Sequence, residues 1–188
     1  MVMPQLKRGQ QLLTKDGQSI QVDSLIAEGG QGEVYKVRSG SRNYALKWYH
    51  IPTTPTQKSQ AKEQYHALKN YLLSNSPPDP RFLWPLSIVV DPHDRTFGYL
   101  MDLMDPRFQG LEKMVLGKMR PVPSFRILCR AAIGLAECFR KLHNMGACYK
   151  DINLGGPVLD PTTGDILICD TDNVRVNNVC PGGIFDHQ

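Results

Sequence analysis

Glycines crowd one stretch of this sequence, Ile26-Ala27-Glu28-Gly29-Gly30-Gln31-Gly32-Glu33-Val34. Without a Cβ, a glycine turn lets the backbone approach a ligand closely and leaves N–H groups free to meet phosphate oxygens. Further along stands Lys47, within Tyr44-Ala45-Leu46-Lys47-Trp48. On a strand, period two sets Tyr44, Leu46 and Trp48 against Ala45 and Lys47, which sends the lysine to Ala45's side. An ammonium beside such a turn would neutralise phosphate charge. Each feature also has a plainer reading: a glycine hairpin without ligand, and a solvated strand lysine. Two phosphate motifs are excluded outright. A dinucleotide-binding glycine fingerprint needs a helix after its turn, and here a strand follows; no GxxxxGK[ST] occurs.

The elements that must position these residues read as follows. Alternation over 19–26, after the turn Lys15-Asp16-Gly17, predicts a strand, and 33–37 and 43–48 predict two more around Ser39-Gly40-Ser41. Over 57–73 the period changes, with Ala61, Tyr65, Leu68 and Leu72 forming a helical stripe that Pro77, Pro78 and Pro80 terminate. Residues 82–90 and 97–103 read as strands around Asp91-Pro92-His93-Asp94. Ser124 suits an N-cap, and Leu128, Ala132, Leu135, Phe139 and Leu142 predict a helix ending near Gly146. Short strands at 158–159 and 165–169 flank the turn Asp160-Pro161-Thr162-Thr163-Gly164, and the tail from Asn177 has no periodicity. A seam near Asp105-Pro106 divides a strand-rich lobe from a helix-led one.

Composition narrows the class. With 41% hydrophobic and 21% charged residues, the 188-residue chain can bury a core. A formal charge of +4, spread along the chain, gives no argument for nucleic acid. The 5 cysteines include no CxxC pair, which fits reduced thiols better than disulfides or zinc. The longest apolar run is too short for a bilayer, and no signal peptide is visible. These features predict a soluble, cytoplasmic, globular protein with no membrane partner.

Gly29, Gly32 and Val34, with Ala45-Leu46-Lys47, resemble the glycine-rich loop and lysine strand of the protein kinase superfamily, Ala27 replacing the first glycine. A second cluster, Tyr149-Lys150-Asp151-Ile152-Asn153-Leu154-Gly155-Gly156-Pro157-Val158, resembles that family's catalytic loop, and Cys169-Asp170-Thr171-Asp172 falls at its Asp-Phe-Gly site. The resemblance covers about residues 19–175. It implies an α+β, protein-kinase-like two-lobe fold: an N-lobe antiparallel sheet plus one helix over 1–104, and an incomplete helical C-lobe over 105–188. It also implies ATP and Mg2+ as cofactors and phosphotransfer to Ser/Thr hydroxyls of a protein substrate. In that reading Gly29, Gly30 and Gly32 cradle phosphates, Lys47 binds them and Glu63 holds Lys47. Ile26, Val34, Ala45 and Val158 line the nucleotide, and the backbone of Asp102 and Met104 meets adenine. Asp151 orients the acceptor hydroxyl, and Asp170 chelates magnesium. Glu63 is the only acidic residue between His50 and Pro78, although helical phase puts it roughly opposite the Ala61/Leu68 stripe.

Three departures bear on activity. Gly156 stands where the family carries a metal-binding asparagine, with Asn153 nearby; Asp-Thr-Asp lacks the phenylalanine and glycine; and the sequence ends at Gln188, soon after Asp170. The expectation is therefore a kinase cut short, with weak or absent transfer and a partner covering the incomplete C-lobe. A non-catalytic nucleotide-binding or scaffold module is the first alternative. A small-molecule phosphotransferase of kinase-like fold is the second.

Overall fold

A computed structural model describes residues 5–176. The chain forms two compact units, one of residues up to 75 together with 85–103, the other of 76–84 together with 104 onward.

In the first unit, β1 (Gln11–Leu13), β2 (Ser19–Glu28), β3 (Gly32–Ser39), β4 (Arg42–Tyr49), β5 (Ser87–Val90) and β6 (Phe97–Asp102) make one antiparallel sheet, ordered β1-β2-β3-β4-β6-β5. Alternation of side chains, interrupted by register shifts in β2, gives it two faces. Leu12, Ile20, Val22, Tyr35, Val37, Leu46, Trp48, Val89 and Leu100 form a buried cluster that Leu6 joins from ahead of β1. Ala45, Lys47 and Tyr49 alternate with Leu46 and Trp48 on β4, and all five are buried. Tyr49 packs on Phe97 at 4.8 Å between centroids, and Tyr65 of the single helix meets Phe97 at 5.2 Å.

That helix, α1 (Pro55–Ala67), starts ahead of the expected residue 57 because Thr54 and Gln57 form a capping box, with Pro55 in the first turn. It continues as a wider π-helical turn over Leu68–Leu72, where Leu73 N–H donates to Leu68 O at 3.0 Å. Leu68 and Leu72 are both fully buried there, each contributing about 1.5–3 kcal/mol. The expected strand over 82–90 is divided. Only Ser87–Val90 joins the sheet of the first unit, whereas Leu83 N–H donates to Ile168 O in the second. Pro85, which offers no N–H, stands between the two pieces.

The second unit holds β7 (Gln109–Gly110), α2 (Leu111–Val115), α3 (Phe125–Asn144), β8 (Ala147–Tyr149), β9 (Pro157–Leu159), β10 (Ile166–Ile168) and β11 (Val174–Val176). Its strands pair as β10-β9-β7 and β11-β8. Ser124 caps α3 as expected, accepting from Ile127 N–H. The most deeply packed face of α3 differs from the expected stripe: the buried residues are Gly134, Cys138 and Leu142, while Ala132 is exposed. The reason lies in 79–81. Asp79, only 4% exposed, accepts from Arg81 Nε at 2.7 Å and Nη2 at 3.0 Å, and from Lys141 Nζ of α3 at 2.6 Å. This ionic clamp sits on the 134/138 side of the helix, where the absence of a side chain at Gly134 leaves room for Arg81.

Candidate functional site

In the first unit the sheet sets the glycine turn and the lysine in adjacent rows. Val34 of β3 lies directly opposite Lys47 of β4. Gly32 must be glycine because a Cβ there would fall 2.2 Å from Trp48 O. The turn closes through Gly29 N–H donating to Gly32 O at 2.9 Å, with Gly29 and Gly30 exposed. A register shift between Leu25 and Ala27 makes Ile26 the extra residue of a bulge, and it is 51% exposed. Ala45 and Lys47 are 4% and 6% exposed, on the same face as the residue alternation requires, with the Lys47 ammonium 5.7 Å from the Tyr49 ring centroid. Glu63 lies on the exposed side of α1 and, among the described residues, makes no ion pair with Lys47. The polar residue that α1 turns inward beside Tyr65 is Gln64, which is half-buried. Helical phase alone held that signal, since Gln64 rather than Glu63 falls on the Ala61/Leu68 side. Asp102 ends β6 exposed, paired with Arg42 at 2.8 Å.

In the second unit the two acidic motifs are stitched together by backbone. Cys169 N–H donates to Gly156 O at 2.7 Å, and Lys150 N–H to Asn173 O at 3.2 Å. Val158 is buried in β9 opposite Leu167. Met104 and Asp151 are half-buried. Asp170 adopts the left-handed conformation at φ 50°, a cost of about 1 kcal/mol that the surrounding bonds sustain. Thr171, at the phenylalanine position, is fully buried and donates to Leu83 O at 2.8 Å.

Tyr149 is the residue whose weight the sequence did not reveal. Its hydroxyl donates to Cys169 O at 2.9 Å. A Cβ at Gly156 would lie 2.5 Å from that hydroxyl oxygen, so the phenol fills the space a side chain at 156 would need. Burial, then the nearby charges of Asp170, Asp172, Cys169 and Asp151, push this phenol above its ordinary range. It stays a neutral donor at physiological pH. Asn153 is committed elsewhere: its Oδ1 accepts from Gly155 N–H at 2.7 Å and Gly156 N–H at 3.2 Å.

These facts decide what the site fits. No group of three or more His, Cys, Asp or Glu among the described residues is arranged to hold a metal ion by itself. Magnesium bound chiefly by nucleotide phosphates and water needs only one or two carboxylates, and Asp170 fits that role. A second metal held from position 156 does not fit. The cysteines at 129, 138, 148 and 169 form no disulfide, and Cys180 lies outside the described residues. No described helix is long and apolar enough to cross a membrane.

No protein-family model matches the sequence, and no curated protein is detectably similar to it. Solved structures are. The ROP18 kinase domain in complex with AMP-PNP and sucrose matches 96% of this chain with TM-score 0.65 at 17% identity, over 59% of its own length. Vaccinia related kinase 3 matches 92% with TM-score 0.63 at 15% identity, over 53% of its length. The PknI kinase domain of M. tuberculosis matches 89% with TM-score 0.63 at 18% identity, over 61% of its length. The chain thus spans between 53% and 61% of these structures. Identities this low speak to architecture only, and on that evidence the protein has a protein-kinase-like α+β fold.

Proposed function

We propose that this chain is a kinase-like nucleotide-binding module, taking ATP with a single Mg2+ and transferring phosphate to protein hydroxyls weakly or not at all. The observation that carries this reading is the Tyr149 hydroxyl standing where a side chain at Gly156 would go. In the first unit, Gly29, Gly30 and Gly32 offer backbone N–H groups to phosphates, and Lys47 supplies a buried counter-charge. Ile26, Val34 and Ala45 supply apolar surface for the base. The Asp102 and Met104 backbone has adenine as its partner. Asp170 would hold the one metal, which neutralises charge on the phosphates. Asp151 would orient the acceptor hydroxyl. Phosphoryl transfer depends on positioning and charge neutralisation, so losing one metal position and the Glu63–Lys47 pair lowers transfer more than binding.

Thermal unfolding with and without Mg·ATP, on the wild type and Lys47→Ala, tests the reading. Ligand at a hundred times its dissociation constant adds about 2.7 kcal/mol to the folded state. The expected result is a magnesium-dependent shift that Lys47→Ala abolishes, with labelled-phosphate incorporation near background. Robust incorporation lost in Asp151→Asn would instead establish an active kinase, and absence of any shift would overturn nucleotide binding.

A further inference from the structure

Two side chains tie the glycine-rich turn to the segment ahead of β1, and nothing in the nucleotide reading accounts for them. His50 follows β4. Its Nε2 lies 2.9 Å from Gly29 O, and its backbone N–H donates to Gln31 O at 3.0 Å. Its Nδ1 lies 2.8 Å from Gln5 Nε2. A carbonyl only accepts, so Nε2 carries the hydrogen, and in the neutral ring Nδ1 accepts from the Gln5 amide. The ring therefore bridges the first residue of the turn to residue 5.

Residue 5 is itself anchored. Gln5 N–H donates to Glu33 Oε2 at 3.0 Å, and Leu6 N–H donates to the Tyr35 hydroxyl at 3.0 Å. Tyr35 in turn donates to Glu33 through a short hydrogen bond. Glu33 and Tyr35 are each 1% exposed, and Leu6 lies in the sheet core. Burial first, then the bond to Glu33, pushes the Tyr35 phenol above its ordinary range, so it remains a donor. A buried carboxylate at the first pair of β3, beside Gly32, is costly unless its acceptor sites are filled. Here the incoming segment fills one of them.

We propose that Gln5 and His50 form a latch through which the segment ahead of β1 sets the position of the Gly29–Gly32 turn. Gln5 and His50 act as positioning residues for whatever the turn binds, and the segment is a cis-acting control on phosphate access there. This rests on the reading that the turn meets nucleotide phosphates, but the latch has its own observable.

The experiment uses the full chain as wild type, Gln5→Ala, His50→Ala, the double variant and His50→Gln, the last offering an amide donor to Gly29 O. Amide hydrogen exchange is followed in peptides covering 28–33, with the 125–144 helix as an internal control, and a fluorescent ATP analogue is titrated with magnesium. Losing a hydrogen bond of ordinary strength speeds local exchange about fivefold. Each alanine variant should show that in 28–33 with the control peptide unchanged. The double variant should be no faster than the faster single, because one chain of contacts is cut once. His50→Gln should recover slower exchange than His50→Ala, and analogue affinity should weaken about fivefold in the alanine variants. Unchanged exchange in 28–33, or additive effects of the two substitutions, overturns the latch whatever the nucleotide does. Faster, non-additive exchange with no analogue bound by the wild type upholds the latch and overturns nucleotide binding.

Discussion

Gly156 and Tyr149 behave as one choice made at two positions. The phenol needs the volume that a side chain at 156 would occupy, and its hydroxyl is held by Cys169 O. Gly156→Asn should therefore destabilise the second unit by about 1–3 kcal/mol through overpacking, read as a lowered urea midpoint at unchanged slope. Gly156→Asn with Tyr149→His removes the collision, and its midpoint should recover. Recovery would place the incompatibility at this contact, whereas equal loss in both variants would place it in the backbone of the loop. Sequence order and spacing nominated Asp151 and Asp170 for the site. Glu63 was the residue that order nominated, yet α1 turns Gln64 inward instead.

At the scale of elements, the 79–81 segment is fastened to α3 by charge rather than by an apolar stripe. Hydrogen bonds from Arg81 hold the Asp79 carboxyl well below the usual carboxylate range, against burial and with help from Lys141. A depressed carboxylate contributes stability that is complete above its unfolded pKa of about 3.9 and is lost as pH falls from there toward the folded value. The acid-unfolding curve should steepen below about pH 4 in wild type. Asp79→Asn should flatten that region and cost about 3 kcal/mol at neutral pH, because two cations lose a buried partner. An unaltered acid limb would assign the acid sensitivity to other carboxylates. The helix limits were partly legible: Ser124 announced α3, but the capping box at Thr54 and Gln57 and the break at Pro85 shifted the earlier boundaries.

For the molecule as a whole, the free thiols report on its integrity. Burial raises the Cys138 thiol to about 11, so it is protonated at neutral pH, and it is fully buried, whereas Cys129 is exposed. A thiol reagent should modify Cys129 at once and Cys138 only at the rate at which the second unit opens. Denaturant should accelerate only the second phase. Fast labelling of Cys138 in native buffer would mean that the α3 packing described above is absent in solution.

By itself the sequence determined the strand alternation that sets Lys47 on Ala45's side, the turn chemistry around the glycines, the Ser124 cap and the order of the acidic motifs. These are local facts, decided by periods of two and 3.6 and by residues with special backbone or capping chemistry. Only the tertiary structure decided that Tyr149 fills the space at Gly156, that the Asp79 clamp selects the buried face of α3, and that residue 5 reaches the glycine turn through His50. Each of these is a contact that only folding makes, those of the Asp79 clamp and of Gln5 with His50 joining residues far apart in the chain. It depends on volume and hydrogen-bond geometry after folding, which no sequence period encodes.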